Sequence, residues 1–214
     1  MTRYQQVDAP EDEVNPIVAV IRFFRAFDYF DKIKTFGDVP WYDKDLTTED
    51  VDELYKARDD RDFVLGKIIE DLEFSIEWLP EKNEAKVGAL HKDAARTFLA
   101  RVCLHYGTYK KYHNVTTSPT AEELLRKAAD LAKGIIDSGQ YDIVRGTDAG
   151  ANQAAFADYP LYYANQFTQE DLTTNKECIL ARVFQADVLT HNLARTGGSG
   201  FSKDFAESLS LIHI

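Results

Sequence analysis

The side chains best placed to do chemistry are carboxylates, and they come in clusters: Glu11-Asp12-Glu13, Glu49-Asp50 and Asp59-Asp60. Two carboxylates about 5–9 Å apart across a sugar ring can hydrolyse a glycosidic bond, one as acid and the other as base or nucleophile. Nothing in the spacing fixes such a pair, and helix starts and solvated helix faces account for all three clusters. His91, His105, His113 and His191 are scattered, with no His-Glu-x-x-His run, no paired metal spacing and no Ser-His-Asp phrase. Cys103 and Cys178 lack a CxxC spacing. They read as small buried hydrophobes rather than a zinc or redox site, and sequence leaves open whether they pair. Gly146 and Gly150 are followed by no Lys-Ser/Thr and no helix start, so they make no phosphate loop. The expectation is a non-catalytic protein with no metal and no cofactor.

Charge and composition narrow the remaining classes. The 214 residues carry 36 Asp and Glu against 25 Lys and Arg, a net charge of -11, which argues against general binding to nucleic acid. Hydrophobic residues at 44% are enough for a packed core and exclude a disordered tail. No apolar run approaches the roughly 20 residues that span a bilayer, and the polar, acidic stretch from Met1 to Asn15 is no signal peptide.

The elements that must position any site are helices. Asn15 as N-cap and Pro16 as first residue open a helix to about Phe36, with Val20, Phe23, Phe24, Phe27, Phe30 and Ile33 at three- and four-residue steps. Gly37 and Pro40 stop it, and residues 38–42 form a loop. Thr47 to Asp50 opens a short helix. A firm helix follows from about Arg61 to Leu79, striped by Leu65, Ile68, Ile69, Leu72, Ile76 and Leu79 and ended by Pro80. Trp78, on this periodic helix, reads as core. The next runs from about Leu90 to Tyr109, with Ala95, Phe98, Leu99, Val102 and Tyr106 inward. Thr120 with Glu123 is a capping box for a helix from Ala121 to Ser138, carrying Leu124, Ala128, Leu131 and Ile135. Beyond Gly139 the chain reads as loop, with extended segments at Tyr141 to Val144 and a strand at Lys176 to Phe184. Ala26-x3-Phe30 and Ala94-x3-Phe98 match the second-helix part of a tetratricopeptide repeat, a small residue at a close crossing followed by a large one. The fold class expected is mainly α: a tetratricopeptide-like stack of helical hairpins with an irregular loop and strand region at the C-terminal end.

Five phrases go further. RFFRAFDYFDKIKTFGDVP at Arg22 to Pro40 resembles the R-FLRAYYYF…FGDVP phrase of the SusD/RagB family. RDFVLGKIIEDLEFSIEWLP at Arg61 to Pro80, HKDAARTFLARVCLHYG at His91 to Gly107, AKGIIDSGQY at Ala132 to Tyr141 and NKECILARVF at Asn175 to Phe184 resemble that family's later phrases, in family order. Lys92-Asp93 and Arg182 depart from the usual residues without altering the fold expected. The resemblance implies a partial SusD-like helical domain over 1–185 and a continuation over 186–208. Residues 209–214, Leu-Ser-Leu-Ile-His-Ile, read as translated sequencing adaptor.

What the resemblance implies is a nutrient-binding lipoprotein on the outer face of a Gram-negative outer membrane. It would capture glycans or other nutrients for a SusC-type TonB-dependent transporter, anchored to the membrane by a lipid that this chain does not carry. Sugars stack their C–H faces on flat aromatic rings. Trp41, Tyr42, Tyr159, Tyr162 and Tyr163 lie on expected loops and are the candidate ligand contacts; the competing expectation is that they plug the seam beside the helices. Family ligand sites vary in position, so no residue is transferred as a known binder. The other function class is a cytoplasmic tetratricopeptide-like scaffold binding peptides or partner proteins in a groove.

Overall fold

The computed structural model describes residues 7–143 and 175–183. The chain divides into two compact units, Met1–Ala181 and Arg182–Ile214, and the first is described below. Val144, the loop expected at Gly146 to Asp158, the adaptor-like tail and Tyr159, Tyr162 and Tyr163 lie outside the described residues.

Five helices follow one another: α1 (Glu11–Phe36), α2 (Val51–Leu54), α3 (Arg61–Trp78), α4 (Lys92–Tyr112) and α5 (Ala121–Asp137). The long ones pack in chain order, α1 on α3, α3 on α4 and α4 on α5, as expected of stacked helical hairpins. Among the described residues there is no strand beyond an isolated antiparallel bridge, Val39 with Asp59.

α1 begins earlier than the sequence suggests. Asn15 is not its cap and Pro16 is not its first residue: Pro10 precedes the helix and Pro16 lies inside it. Val14 closes the first turn on the Pro10 carbonyl at 3.2 Å. Proline this near a helix start removes a single bond, and Glu11, Asp12 and Glu13 complement the helix dipole there. At the other end Gly37, at φ 75°, donates to the Ile33 carbonyl and turns the chain out. A side chain at Gly37 would also meet the Arg61 guanidinium at 2.6 Å.

The other boundaries of the long helices lie within three residues of expectation. Asp60 caps α3 by accepting from Asp62 N at 2.7 Å, and Leu79, extended ahead of Pro80, ends it. α4 starts at Lys92 and runs three residues past Tyr109. The capping box of α5 is formed: Thr120 Oγ1 accepts from Glu123 N, and the Glu123 carboxylate accepts from Thr120 N at 2.7 Å. Hydrogen bonds donated to its carboxylate by the Thr120 amide and hydroxyl favour the ionised form, so the Glu123 carboxyl is held below its ordinary range. Thr47 and Asp50 do bond side chain to backbone, but the short helix starts after them, at Val51.

The expected strand at Lys176 to Phe184 is not there over its described part. The chain turns at Asn175, whose side chain accepts from Glu177 N and whose carbonyl accepts from Cys178 N. Such a local turn takes the groups a sheet ladder would need. This segment returns to the helices: Asp142 N reaches the Lys176 carbonyl, and His91 Nε2 donates to the Ile179 carbonyl at 2.9 Å.

The core sits between α1, α3 and α4. Ala26, Phe30, Ala94 and Phe98 all lie buried within it, with the two phenylalanine rings edge to face at 5.6 Å. Trp78 packs half-buried against this core. Between α1 and α3 the fully buried Ala19 lets Ser75 Oγ donate across to its carbonyl at 2.9 Å. Asp71, buried beside it on α3, takes both nitrogens of the Arg25 fork at 2.6 Å. Lys110, fully buried on α4, pairs with Asp62 of α3 at 2.9 Å and donates to Thr117. Burial pushes the Cys103 thiol up to about 11, so it stays protonated as a small core residue; it and Cys178 are free thiols.

Candidate functional site

The described candidates, Trp41 and Tyr42, sit on the loop that leaves Gly37. Five polar contacts shape it. Trp41 N donates to Asp59 at 2.7 Å, and Lys56 Nζ donates to the Trp41 carbonyl at 2.6 Å while pairing with Asp59 at 3.0 Å. From α1, Tyr29 Oη accepts from Tyr42 N at 2.8 Å and donates to the Pro40 carbonyl. The Trp41 amide holds the Asp59 carboxyl below its ordinary range. Burial raises the Tyr29 phenol, partly offset by the Tyr42 amide.

This arrangement treats the two rings differently. Trp41 is 5% exposed and belongs to the core, its ring 4.4 Å from Tyr29 and covered by the Arg25 guanidinium at 4.6 Å. Among the described residues its buried indole N–H has no acceptor. Tyr42 is half-buried, with Lys56 over its ring at 5.0 Å and its hydroxyl on the Leu54 carbonyl. The loop therefore brings the two together, one as its anchor and one at its surface.

The acids take places in the frame. Asp59 holds Trp41, Asp60 caps α3, Asp50 holds Thr47, and Glu11 to Glu13 form the first turn of α1. Among the described residues no three His, Cys, Asp or Glu side chains converge as metal ligands, and no helix is long and apolar enough to cross a membrane. Two shallow concavities on α5 are lined by Arg96, Glu123, Arg126, Lys127 and Asp130 and by Lys111, Glu122 and Leu125 with their neighbours; neither has an aromatic ring for a sugar to stack on. The Lys56–Asp59 clamp was missed in sequence; its only signal is an oppositely charged pair three residues apart.

Comparison with known proteins gives concordant results. Residues 4–104 match the SusD-like family described as "Starch-binding associating with outer membrane". SusD-like protein P2 of Formosa agariphila is 31% identical over 106 residues, which is 49% of this chain and 20% of that protein. Among solved structures, a SusD-like protein from Bacteroides fragilis superposes with a TM-score of 0.59 at 25% identity, over 86% of this chain and 30% of the other. A structure solved with xylogluco-oligosaccharide gives a TM-score of 0.54 at 23% identity, over 67% of this chain and 27% of the other. A laminarin-binding SusD-like protein gives 0.50 at 19%, over 67% and 29%. The last two show likeness of fold, and this chain spans less than a third of each of these proteins.

Proposed function

We propose that this chain, SusD-like over its helical region, is part of a cell-surface protein that captures glycans or other nutrients without cleaving them. It would pass them to a SusC-type TonB-dependent transporter, held by a lipid anchor on the outer face of the outer membrane. The observation that carries this reading is the family match over residues 4–104. Relatives of this fold that bind laminarin or were solved with xylogluco-oligosaccharide support a glycan as the nutrient.

Within that reading Tyr42, Tyr159, Tyr162 and Tyr163 supply ring faces for sugar C–H groups. Trp41 acts from inside, as the anchor of the loop bearing Tyr42. The test uses the complete protein of the source gene. Calorimetry against starch, laminarin and xyloglucan oligosaccharides should find at least one binder, and reducing ends should not accumulate. Release of reducing ends, or silence across glycans and other nutrients alike, would overturn the reading.

A further inference from the structure

We infer that Arg22, at the edge of the seam between α1 and α3, is a binding site for one further carboxylate. The seam sets two guanidiniums against one acid. Arg25 takes both Asp71 oxygens, Nε on Oδ2 and Nη2 on Oδ1, each at 2.6 Å. Arg22 Nη1 stands 3.9 Å from Asp71 Oδ1, beyond hydrogen-bond distance. Arg25 and Asp71 balance each other, and the charge of Arg22 is left over beside them.

Arg22 is held in place without spending its donors. Its guanidinium carbon lies 4.0 Å over the centroid of the half-buried Phe74 ring, and that ring lies against Trp78, the centroids 6.3 Å apart. Such a stack fixes a guanidinium while leaving its N–H groups for an acceptor. Among the described residues Arg22 makes no hydrogen bond, and its Nε is buried without an acceptor. The side chain still keeps 24% of its surface open, so an occupant can reach it.

Charge and shape select that occupant. A hydroxyl or a carbonyl would fill one N–H and leave the surplus charge unbalanced. A phosphate dianion would overturn the balance and leave a half-buried negative charge. A carboxylate brings the sum to zero and is planar, as the fork requires for two parallel bonds. It can belong to a sugar acid or to an Asp or Glu of the remaining protein, since this chain spans less than a third of the relatives compared. The site does not depend on the nutrient-capture reading; the sugar-acid source does.

The test uses the complete protein of the source gene with Arg22→Met and Arg22→Lys, read by urea unfolding and by calorimetry against oligogalacturonate and neutral glycans. A sugar-acid occupant means that Arg22→Met weakens oligogalacturonate at least about tenfold, with neutral glycans and unfolding as in the parent. An occupant from the protein itself means that Arg22→Met raises the unfolding constant of the complete protein at least about tenfold, but that of this chain alone by less than about threefold. Arg22→Lys keeps the charge and loses the fork, so it should fall between parent and Met in whichever readout moves. Equal destabilisation of this chain and the complete protein would make Arg22 a packing group over Phe74 and overturn the site. A protein that binds neutral glycans, with both readouts untouched by Arg22→Met, would overturn the site and leave nutrient capture standing.

Discussion

The two ends of the helical row handle their free sides differently. α5 turns Leu124, Ala128 and Ile135 inward, and its outer surface carries charge pairs one turn apart, Glu122 with Arg126 at 3.0 Å and Lys133 with Asp137. α1 has a comparable inner face and, opposite it, two phenylalanines and three aliphatic residues in solvent. The difference separates a helix whose outer side carries paired charges from one whose outer side is an apolar stripe. It also separates what holds each in place: a cap and a close crossing for α5, a buried ion pair for α1.

The sharpest way to break the contrast is Asp71→Leu. It leaves the Arg25 guanidinium, and Arg22 stacked on Phe74, without their shared carboxylate in the seam. Urea unfolding should show a loss of about 3–5 kcal/mol. Were α1 held by apolar burial alone, the substitution would be nearly silent.

On the α5 side the corresponding change is Gly107→Val. Here a Cβ would come within 2.8 Å of the Leu125 side chain and 3.1 Å of its backbone N. A loss of about 1–3 kcal/mol is expected. Leu125→Ala in the same chain should recover only part of it, because the backbone contact remains.

Next in size is Thr120→Ala, which removes the cap and should cost about 1 kcal/mol. Its partner gives a pH signature. The Glu123 carboxyl is depressed in the folded chain, so its contribution is complete above the ordinary glutamate range and is lost as pH falls through the depressed value. Melting temperature followed from pH 7 downward should show that acid step in the parent chain and a smaller one in Thr120→Ala.

The smallest effect on stability is expected where the largest effect on surface chemistry lies. Phe24→Ser with Phe27→Ser should change unfolding free energy by less than about 1 kcal/mol, yet sharply reduce binding of a hydrophobic dye. The parent chain is expected to bind such a dye or to aggregate; a monomer that leaves the dye dark would remove the distinction between the two ends.

Helix existence was legible because the apolar stripes of α3, α4 and α5 recur cleanly and their stops, Pro80 and Gly139, are strong. The start of α1 was not, because Asn15-Pro16 imitates a cap and the acidic turn before it looks like solvated tail. Its three- and four-residue steps do not mark a single face: Phe23, Phe30 and Ile33 are buried, whereas Val20, Phe24 and Phe27 are exposed. A period alone cannot assign sides when both are apolar. The Lys176 to Phe184 segment was read as strand from its Ile, Leu and Val content, whereas the Asn175 turn decides the described part. For the candidate ligand contacts, sequence placed Trp41 and Tyr42 on one loop but could not say which ring faces inward. That depends on Arg25 and Tyr29, more than ten residues away.

The Arg25–Asp71 pair has a consequence apart from its strength. Apolar surfaces are indifferent to sliding: moved by one turn, about 5.4 Å, α1 would still find oil on α3. The ion pair would not survive that shift, nor would the Ser75 hydroxyl still meet the Ala19 carbonyl. Polar groups in this seam therefore act as a register key, admitting a single phase between the two helices. The direction in which the outer stripe of α1 points is set by that key.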